Sequence, residues 1–227
     1  MKEILESIYV DSLIASLSFG GDYFEIQKLN GVKDKLFQLD TIKKLLVATE
    51  KIYKEEKIPI IDSEQRNNIL SVLSDIRFDY QFQNEQNKEE IIDKINDCII
   101  LLNGITPAFD KVISPNEAEE LESINLYILI REFIFFIVHF YLQDEDTFVN
   151  EAIPLFQLNP DLYACAIDSI MDNYPKLLES IEFLKKTKTI GEKCMASINE
   201  DPSILDNSLK KSTLSILDNI NKSIKLK

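Results

Sequence analysis

The chain has 227 residues, 45% hydrophobic and 28% charged, which is enough apolar mass for a real core and far from the composition of a disordered chain. A formal net charge of −14 repels phosphate backbones and anionic lipid, so neither nucleic acid nor a membrane surface is an expected partner. There are 5 Gly and 7 Pro, with the prolines falling between periodic apolar segments, and this describes helices joined by short connections.

In chain order, Leu5, Ile8, Tyr9, Leu13 and Leu17 stand at helical spacing and predict a helix over residues 3–19, stopped by Gly20-Gly21. A shorter helix is expected over 23–29, closed by Asn30-Gly31. From Asp40 as N-cap, Ile42, Leu45, Leu46, Thr49, Ile52 and Tyr53 form one face, and Lys43, Lys44, Glu50, Lys51 and Lys54 the other, ending before Pro59. Asp62 with Gln65 spells a capping box ahead of Ile69, Val72, Leu73, Ile76 and Tyr80. Asn87 with Glu90 repeats the pattern ahead of Ile91, Ile95, Cys98, Ile99 and Leu102, ended by Asn103-Gly104. These two helices are expected to pair as an antiparallel hairpin.

Ser114-Pro115-Asn116-Glu117 is the strongest helix start in the chain. Serine accepts from early amides, proline fits a first position whose N–H needs no partner, and glutamate reaches back to the cap. A helix over 115–143 would span roughly 40 Å. Its stretch 124–142, INLYILIREFIFFIVHFYL, is the most apolar in the chain and holds the single histidine, His139.

A short helix broken by Pro154 is expected over 147–157, and Asn159-Pro160 opens a helix with the face Leu162, Tyr163, Ala166, Ile167, Ile170 and Met171. Pro175 kinks or restarts the chain, and Leu177, Ile181, Leu184, Gly191, Met195 and Ile198 continue on nearly one stripe. Asp201-Pro202 starts the last helix, with Leu205, Leu209, Ile216, Leu217, Ile220 and Ile224. No helical-repeat period recurs. The expected architecture is all-α, a multi-helix bundle of about eight to ten helices around a long buried central helix. One domain over 1–227 is favoured, with a subdivision into a 1–174 main bundle and a 175–227 hairpin left open.

The apolar stretch does not read as a membrane span. Arg131 and Glu132 sit at its centre, and the uninterrupted run 133–138 falls far short of the ~20 residues needed to cross a bilayer. A helix apolar on all sides is instead enclosed by other helices. Cys98, Cys165 and Cys194 are dispersed, odd in number and embedded in helical patterns, which reads as free thiols in a reducing compartment. The N-terminal MKEILESIYVDSL has no signal-peptide character, so the cytoplasm is the expected location.

Few residues suggest chemistry. His139 has no second histidine to share a metal, and no Glu-x-x-His pair exists because position 136 is Phe. Eight positions separate Arg131 from His139, which turns the helix by about 80° beyond whole turns, so the two side chains diverge. A core histidine bonded to a polar neighbour, and a buried ion-pair network around Arg131 and Glu132, are the simpler readings. Neither a G-x-S-x-G elbow nor a glycine-rich phosphate loop occurs. No cofactor and no metal are expected.

Charge is the more informative signal. Residues 62–174 hold 6 basic against 22 acidic side chains, whereas 1–61 hold 9 and 10, and 175–227 hold 10 and 7. Glu117, Glu119, Glu120 and Glu122 precede the apolar stretch, and Asp144, Glu145 and Asp146 follow it without the spacing of a calcium loop. Together they would face an Arg- or Lys-rich protein. The expected function is a non-enzymatic cytoplasmic binding protein of the inhibitor, immunity or antitoxin kind, neutralising a basic protein partner through this acidic surface. The alternative is a helical enzyme, nuclease- or hydrolase-like, with His139, Arg131 and Glu132 as its candidate residues. Homo-oligomerisation is left open.

Overall fold

A computed structural model describes residues 1–22, 26–29, 31–55, 61–83, 86–108, 113–142, 148–200 and 207–226. Ten α-helices and no strand occur among them, so the protein is an all-α multi-helix bundle. They are α1 (Lys2–Ser18), α2 (Val32–Leu36), α3 (Leu39–Glu50), α4 (Ser63–Tyr80), α5 (Lys88–Asn103), α6 (Pro115–Leu142), α7 (Ile153–Leu158), α8 (Leu162–Asn173), α9 (Ile181–Glu200) and α10 (Asn207–Lys225). Among the described residues no helix is long and apolar enough to cross a membrane.

Local chemistry explains most boundaries. Gly20 ends α1 at φ +85°, and a Cβ there would run into the Gln65 backbone. At the start of α4 the Gln65 N–H donates to Asp62 Oδ1 at 2.7 Å, while the Asp62 N–H donates to Gln65 Oε1 at 2.9 Å. Ahead of α6 the Ser114 N–H donates to Glu117 Oε2 at 2.7 Å, and the Glu117 N–H donates to Ser114 Oγ at 3.3 Å. Both capping boxes are therefore closed, each satisfying two otherwise orphaned donors.

Other expected boundaries shift. Asp40 lies inside the first turn of α3, whose cap is Gln38 without a side-chain bond, so Asp40 serves the helix dipole rather than the cap. Asn87 makes no capping bond because its ψ of 22° is not the extended cap geometry. A π-helical turn over Phe148–Ala152 runs directly into α7, so the chain stays helical through Pro154, which marks the change from π to α geometry rather than a break. After Asn159-Pro160 the chain first turns, and α8 begins at Leu162. The stripe expected to run from Leu177 to Ile198 is interrupted: a 3-10 turn over Pro175–Glu179 ends at extended Ser180, whose Oγ accepts from Phe183 N–H at 3.2 Å. This leaves Ile181 exposed. Residues 23–25 and 30 of the expected second helix, and Asp201-Pro202, lie outside the described residues.

The chain divides into two compact units, Met1–Tyr9 with Leu129–Lys227, and Val10–Ile128. In the first, residues 133–139 of α6 are seven consecutive side chains that are each at most 4% exposed. Seven residues make nearly two turns, so no side of the helix faces water there. Phe135 packs on Tyr9, Phe133 on Phe156, and Tyr141 stacks on Phe183. The helices α9 and α10 pack against each other, with Thr213, Ile216, Leu217 and Ile220 buried on α10.

In the second unit α4 and α5 pair, tied by Arg77 Nη1 donating to Asn96 Oδ1 at 3.1 Å. Here α6 is amphipathic. Leu121, Ile124 and Ile128 are buried, whereas Leu126 is 44% exposed.

Tyrosine hydroxyls supply polar ties inside both units. Tyr163 donates to Thr187 O at 2.8 Å, Tyr141 to Phe183 O at 3.1 Å, and Tyr53 to Ser18 O at 2.8 Å. Tyr9 Oη lies 3.2 Å from His139 Nδ1. Burial pushes the phenols of Tyr9, Tyr53, Tyr141 and Tyr163 above their ordinary value.

Two predictions follow from this packing. A Cβ on Gly191 would lie 2.7 Å from Leu217 Cδ2 and from the Tyr163 ring, which its own hydrogen bond holds in place. Gly191→Ala therefore loses by overpacking, about 1–3 kcal/mol, more than the ~1 kcal/mol that alanine gains as a helix former, and lowers the urea midpoint. The raised phenols set a pH dependence. Their stabilisation is fully present below the unfolded tyrosine pKa of ~10 and is lost as pH rises toward the folded values, because only the unfolded chain then releases the protons. Each such group removes up to about 1.4 kcal/mol per pH unit, so urea titrations should show a steep fall in stability above pH ~10.

Candidate functional site

The residues named as catalytic candidates do not form an open site. His139 is fully buried, its Nδ1 faces Tyr9 Oη, and its ring stacks on Tyr9 at 5.8 Å. Glu132 is 7% exposed, and Arg131 is half-buried. Eight helical positions hold Arg131 and His139 about 12 Å apart along the axis. None of the three clefts described below is lined by any of the three residues.

The thiols are similarly withdrawn. Cys98 and Cys194 are buried, Cys165 is half-buried, and all three are free. Burial pushes the Cys98 thiol up to about 11, and burial also raises Cys194 and Cys165. At neutral pH Cys98 is almost wholly the unreactive thiol. Among the described residues no group of three or more His, Cys, Asp or Glu side chains converges as a metal site would require.

The acidic candidates divide. Glu117 is committed to its own helix cap through Ser114. Glu119, Glu120 and Glu122 are exposed on the first two turns of α6, where the positive end of the helix dipole favours negative charge. No cationic side chain pairs with them among the described residues. Some exposed acids on other helices are paired, Glu50, Glu90, Glu182, Glu192 and Asp218 each with a lysine four residues away, whereas Glu89, Asp93 and Asp172 are exposed with no ion pair among the described residues. Asp144, Glu145 and Asp146 lie outside the described residues.

Two clefts lie within the unit Val10–Ile128. A groove of about 800 Å³ runs between α3 and α5, with exposed Val47 and Ile100 on its walls and the pairs Glu50–Lys54 and Glu90–Lys94 along its rims. An open trough of about 670 Å³ is lined by α1, α3 and α6, and Glu120 stands on its rim. Apolar Ile14, Phe19, Ile124 and Tyr127 line it, with Phe19 and Tyr127 meeting edge to face at 5.2 Å. A third, smaller cleft of about 240 Å³ lies in the other unit beside Met1, Tyr141 and Phe183.

Sequence reasoning singled out Glu120 and missed the trough beside it. The available signal was local: Ala15 and Ala48 are small residues beside large apolar ones, and a small residue on a partly buried helix face leaves room for a neighbour.

Maleimide labelling of the native protein followed by mass spectrometry should modify Cys165 first, with Cys98 and Cys194 reacting only on unfolding; early labelling of Cys98 would contradict its burial. No protein-family model matches the chain, and no curated protein or solved structure is detectably similar to it.

Proposed function

We propose that the protein is a non-enzymatic binding protein of the inhibitor, immunity or antitoxin kind, which works in the cytoplasm and neutralises a basic protein partner through its acidic surface. One observation carries this reading: Glu119, Glu120 and Glu122 are exposed together on the first two turns of α6 and lack a cationic partner among the described residues. Paired surface charges are self-neutralised and project little field. Unpaired carboxylates on one helix end do project it, and they steer a positively charged surface into register before contact. Glu117 and the acidic run at Asp144, Glu145 and Asp146 extend the reading by charge alone.

Burial of His139 supports a binding role over catalysis, because a group with no accessible surface does not touch a substrate. What such a protein offers a partner is shape and charge, and its effect would be to cover the partner's basic working surface.

The test is affinity capture from the native host at low and at high salt, with the wild type and an E119Q/E120Q/E122Q variant. The wild type should retain a protein of basic pI at low salt and release it as ionic strength rises, since exposed charges farther apart than the ~8 Å Debye length of physiological salt are screened. The variant should bind that protein at least about tenfold more weakly, through slower association. A failure to recover any basic protein at low salt would sink the proposal.

A further inference from the structure

The trough beside Glu120 has a periodicity that names its occupant. On α1 the lining positions are Asp11, Ile14, Ala15 and Ser18, and on α6 they are Glu120, Ser123, Ile124 and Tyr127. Each set has the spacing i, i+3, i+4, i+7, one stripe over two helical turns, about 10 Å long. The third wall comes from Lys44 and Ala48 of α3 and from Lys51 and Ile52 of the π-helical turn Lys51–Glu55 that continues it. The two stripes on α1 and α6, with half-buried Ala15 and Ala48 lining the trough, match the ridges of about two turns of a further helix.

Charge around the rim is divided between its two sides. On the α3 side stand the cations, Lys44, held by Asp11 at 3.5 Å, and Lys51. On the α6 side Glu120 lines the trough, with no cationic partner among the described residues. Whatever lies in the trough therefore meets apolar surface beneath and uncompensated negative charge along one edge.

We infer that the trough is the docking seat for an amphipathic helix of the partner, apolar at i, i+3 or i+4, and i+7, with Lys or Arg along the flank that faces α6. This rests on the reading of the protein as a binder of a basic partner and specifies the segment that is bound. Helix-in-groove recognition uses this pattern of anchors, and the flanking charges fix which way the helix lies.

The test uses the full chain and two synthetic peptides of roughly 18 residues, long enough to hold a helix in water. One places Leu at the anchor spacing with Lys and Arg along one flank, and the other is a scramble of identical composition. Binding is followed by fluorescence anisotropy and by amide chemical shifts of the labelled protein. The ordered peptide should bind about tenfold or more tightly than the scramble and shift resonances of the trough. An Ala15→Leu/Ala48→Leu variant, which fills the trough, should weaken the ordered peptide about tenfold with its helical circular dichroism unchanged. Equal binding of both peptides, or full binding by the filled variant, overturns the inference. So does a small apolar molecule found in the trough by native mass spectrometry, or a dimer that the filled variant abolishes. A basic partner captured from the host and retained in full by A15L/A48L defeats the trough while leaving the basic-partner reading intact. Peptide binding that survives E119Q/E120Q/E122Q without loss of affinity or salt dependence defeats the charge reading while leaving the seat intact.

Discussion

The absence of any polar side to α6 over residues 133–139 constrains the unit in which it lies. Seven successive side chains at no more than 4% exposure require packing around the full circumference of the helix, and isolated helices of this composition have no other way to leave water. The aromatic pairs Tyr9–Phe135, Phe133–Phe156 and Tyr141–Phe183 come from α1, α7 and α9. The amphipathic pattern of α9 follows as a requirement, since a helix that helps enclose another must itself keep one polar face for solvent.

Enclosing a helix also means enclosing polar atoms, and tyrosine is the residue this protein uses for them. A phenol contributes a large apolar body and one hydroxyl at its tip, so it can cross a core and end on a carbonyl. Tyr163 and Tyr141 reach α9, Tyr53 reaches the end of α1, and Tyr9 meets His139. These directed bonds set the rotation of one helix against another, which apolar contact alone leaves loosely specified. His139 falls under the same logic. Its imidazole stands where the Tyr9 hydroxyl of another helix meets it.

The Val10–Ile128 unit is built differently. Its segment of α6 keeps a wet side, and there Glu120 lines a largely apolar trough. Charge and apolar surface in close proximity are the two ingredients of a protein interface, the first for approach and orientation, the second for affinity.

Much of this was legible in the sequence, for a local reason. Helix identity, the closed boxes at Asp62 and Ser114, the stop at Gly20 and the enclosure of residues 133–139 all depend on residues within a few positions of one another, where backbone geometry and hydrogen bonding act directly. Where such signals misled, as at Asn87, Pro160 and Leu177, the backbone took a different local conformation from the one the pattern implied. What only the tertiary structure decided is which distant stripes share a wall: Ile14, Ala48 and Tyr127 lie far apart along the chain and meet in one trough.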